Sequence, residues 1–219
     1  MKTFADLQLV EPLCRALAAG KYEIPTPIQA ASIPHLLEGG DLLGTAQTGT
    51  GKTASFALPV LQHIIDIGRR PRKHEVRALI LTPTRELAHQ VADSFRRYGQ
   101  FTKISCAMVY GGVSYTPQIK ALKKGVDVLV ATPGRLLDLF NEGHMDFSQT
   151  QFLIFDEADR MLDMGFKKDL EEIITEIPEE RQTIFFSATM KSEIAKLANK
   201  ILKDPKRVDV APKSITAYN

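Results

Sequence analysis

The segment with the strongest chemical signal begins at Ala46 and reads Ala-Gln-Thr-Gly-Thr-Gly-Lys-Thr. Gly49 and Gly51 let backbone N–H groups turn toward phosphate oxygens, and a helix that starts after them adds a partial positive charge. Lys52 supplies a full charge at the β- and γ-phosphates, and the Thr53 hydroxyl can reach Mg²⁺. The general pattern of such loops begins with glycine, where this chain has alanine. The composition predicts a triphosphate-binding loop, and the alternative is a flexible turn.

Two adjacent acids follow a second apolar run, Phe-Leu-Ile-Phe at residues 152–155. A carboxylate here can hold Mg²⁺ through its water shell, because Mg²⁺ prefers oxygen ligands in octahedral geometry, and we assign this role to Asp156. Glu157 is then placed to polarise the water that attacks a γ-phosphate. The alternative is that these acids and Asp159 only stabilise a helix start, where each contributes about 0.3–1 kcal/mol.

Two further segments share one form, Thr-Pro-Thr-Arg at 82–85 and Thr-Pro-Gly-Arg at 132–135. Each follows an apolar run and opens a helical pattern. A helix N-terminus with a nearby arginine suits a nucleic-acid phosphate, and two side by side could follow a backbone without reading bases. The alternative is an ordinary capped helix start with proline in its first turn.

These segments must be positioned by strands and helices that alternate along the chain. Short β-branched or leucine-rich runs at 42–43, 78–81, 126–130, 152–155 and 183–186 predict strands that are buried on both faces. Helical patterns are predicted at 7–19, 53–65, 86–98, 134–140, 170–177 and 194–202, and a further helix is predicted to end at about Leu37. This order predicts an α/β fold with a parallel sheet and crossover helices on both faces. Ligands then collect at the carboxyl ends of the strands, where the motifs lie.

Composition restricts the partners and the compartment. The net charge of +2 gives no overall field for nucleic acid, so such contacts must come from local groups. The charged connection 68–75 is interpreted as a solvated loop rather than a binding patch. Cys14 and Cys106 have neither disulfide nor zinc spacing, which favours a reducing cytoplasm. No signal peptide or membrane-spanning run is expected.

The run Asp-Glu-Ala-Asp at 156–159 resembles the signature of DEAD-box RNA helicases, and the other motifs of that family's first core domain appear in order over nearly the whole chain. The resemblance implies a three-layer αβα, RecA-like P-loop NTPase domain. It also implies ATP and Mg²⁺ as cofactors, RNA as a partner, and ATP hydrolysis coupled to local RNA duplex unwinding. The catalytic residues would be Lys52, Asp156 and Glu157, with Thr53 and Asp156 at the metal.

The resemblance extends to a segment that recognises adenine. Residues 22–29, Tyr-Glu-Ile-Pro-Thr-Pro-Ile-Gln, are similar to the family's Q motif, although the family usually has glycine where Lys21 stands. Tyr22 would stack on adenine and the Gln29 amide would pair with its edge. The alternative is a capping box between Thr26 and Gln29, and both can hold together. The implied nucleotide-binding residues are Phe4, Tyr22, Gln29, Ala46, Gln47, Thr48, Gly49, Thr50, Gly51, Lys52 and Thr53.

The resemblance also assigns residues to RNA and to coupling. The RNA sugar-phosphate contacts would be made by Pro83, Thr84, Arg85, Gly111, Gly112, Thr132, Pro133, Gly134 and Arg135. Such contacts imply recognition without sequence preference. Ser187 and Thr189 would couple hydrolysis to strand separation through Asp159; unaided, the two hydroxyl residues would be ordinary turn or capping residues.

The implied organisation is a Q-motif helical region at 1–38, a RecA-like domain at 39–210 and the start of an interdomain linker at 211–219. The family's second core domain carries arginines that complete the ATP site, and no segment matches it, so we expect a monomer that binds ATP but hydrolyses it poorly. A stand-alone ATP-responsive RNA-binding module and a DNA-directed helicase are the alternatives.

Overall fold

A computed structural model describes residues 3–47 and 49–210 of the chain. Its strands are β1 (Leu42–Thr45), β2 (Val76–Leu81), β3 (Cys106–Val109), β4 (Val126–Ala131), β5 (Phe152–Phe155), β6 (Gln182–Ser187) and β7 (Lys206–Asp209). Its helices are α1 (Glu11–Ala19), α2 (Pro27–Leu37), α3 (Lys52–Ile67), α4 (Arg85–Tyr98), α5 (Tyr115–Leu122), α6 (Pro133–Asn141), α7 (Ala158–Asp163), α8 (Lys167–Glu176) and α9 (Ser192–Ile201). A 3₁₀ turn, Phe4–Leu7, precedes α1.

The strands form one seven-stranded sheet in the order β3-β4-β2-β5-β6-β1-β7. Every pairing in it is parallel. Successive residues of a strand point to opposite faces, so Leu42 and Ile80 join one core while Leu43 and Leu81 join the other. Helices α1 to α4 cover the first face and α5 to α9 cover the second. The predicted three-layer α/β fold is confirmed.

Four elements were not predicted from the sequence, β3, β7, α5 and α7. Strand β3 reads Cys-Ala-Met-Val and β7 reads Lys-Arg-Val-Asp, so neither has the β-branched apolar run of a central strand. Both lie at the edges of the sheet, where burial on both faces is not required. Helices α5 and α7 are short; α7 begins inside the acidic motif, and no element was predicted for the segment that forms α5.

The predicted helix at 7–19 is wrong in its first part. A 3₁₀ turn ends at Leu7, and α1 begins only at Glu11, with Pro12 in its first turn. Phe4 and Leu13 are buried in the same core as α2 and α3. The boundary at residue 38 stays a prediction, and the predicted linker at 211–219 lies outside the described residues.

Over residues 3–47 and 49–210, no helix has both the length and the apolar composition needed to cross a membrane.

Two glycines with the same backbone conformation give a test of this packing. Gly125 has φ +77° and an added Cβ would lie 1.9 Å from the Arg72 carbonyl oxygen, whereas Gly143 has φ +78° and open space around it. We expect Gly143→Ala to lower the free energy of unfolding by about 1–2 kcal/mol through the left-handed backbone alone. Gly125→Ala should lower it by about 1–3 kcal/mol more, because backbone must move. Urea denaturation measures both, and equal losses would contradict the packing described.

Candidate active site

The predicted motifs that follow strands all lie at the edge of the sheet where the parallel strands end. Register pairs Leu81 with both Ala131 and Phe155, and Thr45 with Ser187, so the strands end nearly level. From one side, this edge carries the glycine pair after β3, the 132–135 motif after β4 and the 82–85 motif after β2. The acidic motif after β5, the Ser-Ala-Thr motif after β6 and the phosphate-type loop after β1 follow. The proposed nucleic-acid and nucleotide motifs therefore occupy separate halves of one edge.

The loop after β1 has the backbone shape that its glycines were expected to allow. Gly49 and Gly51 have φ values of +84° and +86°, and Gly51 is the N-cap of α3. Helix α3 therefore starts at Lys52, with Thr53 as its second residue, and its N-terminal N–H groups face this loop. The Thr50 hydroxyl donates a hydrogen bond of 2.9 Å to the Gln47 carbonyl. Thr48, a predicted member of the loop, lies outside the described residues.

Lys52 meets both acids of the motif after β5. Its Nζ lies 3.0 Å from Asp156 Oδ1 and 3.5 Å from Glu157 Oε1. The Lys52 side chain is only 6% exposed and Asp156 is fully buried, so little water separates these charges. Glu157 also lies 3.4 Å from Arg160 Nη1, and its backbone has φ +60°, a conformation that few residues other than glycine adopt. The Lys52, Asp156 and Glu157 side chains form one charged cluster at the start of α3.

Asp156 is the most strongly perturbed group of this cluster. Burial raises its pKa above the usual value, the Lys52 ammonium opposes the rise, and the Glu157 charge adds to it. Apart from Lys52, neither carboxylate oxygen has a polar partner in the parts of the chain that the structure describes. A buried carboxylate with unused oxygens fits a hydrated cation. Within residues 3–47 and 49–210 no group of three His, Cys, Asp or Glu side chains could hold a metal.

Gln29 connects α2 to the phosphate-type loop. Its Nε2 donates to the Gly51 carbonyl at 3.0 Å, and its Oε1 accepts from the Thr26 backbone N–H at 2.9 Å. One half of the capping box in the alternative interpretation is therefore present, while the Thr26 hydroxyl has no hydrogen-bond partner among the described residues. The amide retains a second N–H and a second lone pair, so contact with a base edge stays a prediction.

Tyr22 is half-buried beside α1 and α4. Its ring packs edge to face on Tyr98 at 5.9 Å, and Arg97 donates to its hydroxyl at 3.1 Å. An added Cβ at Gly20 would lie 2.5 Å from this ring, so a larger residue there would displace the Tyr22 side chain. Lys21, where the family usually has glycine, adopts φ +57°, which is the conformation that glycine favours. Phe4 is buried in the core and its N–H donates to the Glu23 carbonyl at 3.1 Å.

A cleft of about 600 Å³ opens beside the charged cluster. Lys52, Glu157 and Asp159 line one side, and Thr84 and Leu87 of the α4 start line the other. The cleft therefore extends from the nucleotide half of the edge toward the nucleic-acid half.

The 82–85 and 132–135 motifs both begin helices, and their hydrogen bonds differ. The Thr84 hydroxyl accepts from the Leu87 N–H at 3.3 Å, which is an ordinary N-cap bond, and Arg85 forms an exposed ion pair with Glu86 at 2.8 Å. Arg135 donates to the Val113 carbonyl at 3.0 Å, and its guanidinium lies 3.8 Å from the centre of the Tyr115 ring. Pro133 and Gly134 form the first turn of α6, after the N-cap residue Thr132.

The glycine pair after β3 is held between these motifs. Gly111 and Gly112 have no atom within 4 Å of an added Cβ, so their backbone is open to a ligand. On one side Tyr110 packs on His89 of α4, with the hydroxyl 3.0 Å from Nε2. Sequence reasoning missed Tyr110, His89 and Tyr115 as supports of this loop, because their spacing carries no signal until the strands are placed.

The Ser-Ala-Thr motif is bonded to the acidic motif. The Thr189 hydroxyl and backbone N–H both donate to Asp159 Oδ2, each at 3.1 Å. Ser187 donates to the Thr189 carbonyl at 2.7 Å. The three predicted coupling residues therefore form one chain of hydrogen bonds between the ends of β5 and β6.

Comparison with known proteins gives a consistent result. The family model described as DEAD/DEAH box helicase matches residues 26–197. The ATP-dependent RNA helicase DeaD of Mycobacterium tuberculosis is 48% identical over 99% of this chain and 38% of its own length. DeaD of Escherichia coli is 46% identical, with 95% of this chain and 32% of that protein covered. The ATP-dependent rRNA helicase rrp3 of Sclerotinia sclerotiorum is 45% identical, with 96% and 43% covered.

One solved structure extends the comparison to the fold. The crystal structure of a DEAD box protein from the hyperthermophile Methanococcus jannaschii superposes with a TM-score of 0.87 and 39% identity, over 95% of this chain and 56% of that one. The chain spans less than half the length of the curated relatives described above.

The raised pKa of Asp156 predicts how stability depends on pH. The folded chain retains this proton over a pH range in which the unfolded chain has released it, so the contribution of Asp156 to stability falls as pH rises through that range. Without nucleotide or Mg²⁺, Asp156→Asn should therefore gain stability relative to the unchanged chain as pH increases from acidic to neutral. Thermal denaturation over that range measures the difference. A difference that is independent of pH would contradict the assigned desolvation.

Proposed function

The chain belongs to the DEAD/DEAH box helicase family, and from this premise we propose that it is the ATP-binding N-terminal core domain of an RNA helicase. The observation that carries the proposal is the buried cluster of Lys52, Asp156 and Glu157 at the N-terminus of α3. A lysine, a helix terminus and two acids in one cleft provide for the binding and hydrolysis of a magnesium nucleotide.

Each residue of the cluster has a separate task in hydrolysis. Lys52 would move from its acidic partners to the β- and γ-phosphates, while the N–H groups of the 46–53 loop hold the remaining oxygens. Mg²⁺ supplies positive charge at the phosphate oxygens, and Thr53 and Asp156 are the residues that would hold it. Glu157 would orient the attacking water and accept its proton. The Glu157 carboxylate lies 3.5 Å from Lys52 Nζ and 3.4 Å from Arg160 Nη1.

The base would be recognised by the segment that precedes and begins α2. Tyr22 offers a ring for stacking on adenine, with Phe4 supporting the segment from the core. The second N–H and lone pair of the Gln29 amide would pair with the adenine edge. Because the Gln29 amide also donates to the Gly51 carbonyl, binding of a base to Gln29 would act directly on the phosphate loop.

RNA would lie along the other half of the edge. The open backbone of Gly111 and Gly112 and the starts of α4 and α6 offer N–H groups and positive helix ends to phosphates. Pro83, Thr84, Arg85 and residues 132–135 complete this surface. Contacts of this kind read no bases, so binding would be independent of sequence and sensitive to salt.

Coupling between the halves would pass through Asp159. Its carboxylate accepts two bonds from Thr189, and it lines the cleft beside Lys52. A change at the γ-phosphate would thus reach Ser187 and Thr189.

We further propose that a second RecA-like domain supplies arginines to the cleft, with residues 211–219 leading to it. Without those arginines, turnover would fall by a factor of about 10³–10⁵. The chain by itself would be a cytoplasmic monomer that binds ATP, with 1–38 as its Q-motif region and 39–210 as its RecA-like domain.

Nucleotide binding is tested with calorimetry, a non-hydrolysable ATP analogue and Mg²⁺. We expect Lys52→Ala to weaken binding by about 10- to 100-fold, because charge-assisted hydrogen bonds are lost. Since that change also leaves Asp156 unpaired, Thr53→Val provides a variant with the ion pair intact, and it should weaken binding only in the presence of Mg²⁺. Equal affinity for the analogue in the unchanged chain, Lys52→Ala and Thr53→Val would contradict the proposal.

Glu157→Gln separates an enzyme from a binding module. In a longer chain that includes the proposed second domain, we expect nucleotide binding to persist while single-turnover hydrolysis falls by about 10²–10⁴-fold, the usual contribution of a general base. Glu176→Gln, at the exposed end of α8, is the control. If hydrolysis is unchanged by Glu157→Gln, the chain is an ATP-responsive module or uses another base. Comparing RNA with DNA as the stimulating strand tests the choice of nucleic acid.

Gln29→Glu tests the connection between α2 and the phosphate loop. The glutamate can still accept from Thr26, but it cannot donate to the Gly51 carbonyl and repels it. We expect ATP affinity to fall about tenfold with the helix content unchanged. Gln118→Glu is a matched control, because Gln118 also bridges a backbone N–H and a carbonyl, at Tyr110 and away from the loop. A similar loss in both variants would argue against a specific role for Gln29.

A further inference from the structure

The opposite edge of the sheet carries a stripe of exposed cations. Strands β3, β4 and β2 are neighbours, and the connections that lead into them each contribute basic side chains. We name these six residues the basic stripe: Lys103 before β3, Lys123 and Lys124 before β4, and Arg69, Arg70 and Arg72 before β2. The sequence pattern alone indicated a solvated loop at 68–75, and the fold adds three lysines beside it.

Contacts join the parts of the basic stripe into one surface. Gly125, which follows Lys124, packs so closely on the Arg72 carbonyl that a Cβ would lie 1.9 Å from it. Arg69, Arg70 and Lys103 line one groove of about 410 Å³ with Ile64 and Ile104. The stripe therefore continues from the β3 side to the β2 side.

Acidic side chains do not neutralise this surface. The connections 68–75, 99–105 and 123–125 contain one acid, Glu75. Glu75 is buried and pairs with Arg69 at 2.9 Å. Asp127 of β4 also lines the groove, but its side chain is only 7% exposed and pairs with Arg77 at 3.2 Å. The charges of Arg70, Lys103 and the two lysines of 123–124 remain available to a polyanion.

An aromatic ring lies beside the groove. Phe101 is 37% exposed and belongs to the same connection as Lys103. The Arg15 guanidinium lies 4.0 Å from the centre of its ring. Exposed rings and guanidinium planes are the surfaces on which unpaired bases stack, and cations nearby hold the phosphates.

Helix dipoles offer a simpler explanation for part of the stripe. Helices α3 and α5 end just before Arg69 and Lys123, and cations at a helix C-terminus are favourable by about 0.3–1 kcal/mol. Lys103 lies five residues beyond the end of α4, outside the last turn, and the dipole does not require the exposed Phe101. The helix dipole therefore explains the cations at Arg69 and Lys123, but it explains neither the groove nor the exposed Phe101 ring.

We propose that the basic stripe and Phe101 form a second, sequence-independent site for single-stranded RNA, at the edge of the sheet opposite the helicase motifs. The same three strands, β2, β3 and β4, then carry an RNA surface at each end. A strand held at the motif edge would have a flanking segment anchored behind it. This site extends the proposed function and uses none of its motif residues.

The test measures the affinity of the chain for fluorescein-labelled oligouridine by anisotropy, without nucleotide, at several NaCl concentrations. The stripe variant carries Arg70→Gln, Lys123→Gln and Lys124→Gln. The control carries Arg207→Gln, Lys196→Gln and Lys200→Gln, which removes the same charge from exposed positions on β7 and α9. We expect the stripe variant to lose about tenfold or more at low salt and its salt slope to decrease by about 2, because each phosphate contact contributes about 0.7.

Phe101→Ala should weaken RNA binding several-fold with the salt slope unchanged, and Phe101→Trp should restore it, which a role in folding alone would not predict. Equal losses of RNA affinity in the stripe and control variants, or no loss in either, overturn the proposal.

Binding of labelled polyglutamate instead of oligouridine would assign the stripe to an acidic protein and also overturn the proposal. Calorimetry with the ATP analogue on the same variants keeps the two proposals apart, because the stripe variant should bind nucleotide normally. If the stripe variant loses RNA affinity as expected but the chain does not bind the ATP analogue, only the proposed function is contradicted.

Discussion

The arrangement of the candidate site depends on one buried interaction, the ion pair between Lys52 and Asp156. A carboxylate with no exposed surface at the end of a central strand is unfavourable unless a cation lies against it, and the start of α3 delivers that cation at 3.0 Å. Buried pairs of this kind contribute little to stability compared with apolar side chains. Under the proposed function this pair would separate by ligand exchange, in which phosphates would bind the lysine and a hydrated cation would bind the carboxylate.

That exchange requires the loops after β1 and β5 to meet, although β6 lies between these strands. A parallel sheet solves the problem, because all its strands end at one edge and the loops there converge. The Ala46 N–H donates to the Ser187 carbonyl at 3.2 Å, so the loop after β6 joins the other two. The same geometry sends every connection that enters a strand to the opposite edge, where the basic stripe lies. One topological property thus separates two charged surfaces.

Among the strands, the sequence predicted the central ones and missed the two at the edges of the sheet. Strands β2, β4, β5 and β6 are buried throughout and contain runs of β-branched, leucine or phenylalanine residues. Edge strands β3 and β7 contain no such run, so only pairing with a neighbour defines them. In the site, spacing indicated Lys52, Asp156 and Glu157, but Arg160 and the bond from Gln29 to Gly51 depend on distances that no local pattern encodes. The left-handed backbone at Lys21 could not be predicted either, because lysine does not favour that conformation.

Arg135 shows how a motif residue can act through its neighbours. Its guanidinium contacts the Val113 carbonyl and the Tyr115 ring. The Tyr115 hydroxyl in turn donates at 3.3 Å to Asp138, which lies on α6 with Arg135. These contacts fix the segment that follows Gly112, while His89 and Tyr110 fix the segment that precedes Gly111.

Backbone N–H groups bind phosphate well only when their direction is set in advance. The two aromatic contacts therefore supply the order that an open glycine pair lacks, and they do so from the helices that begin at the two flanking motifs.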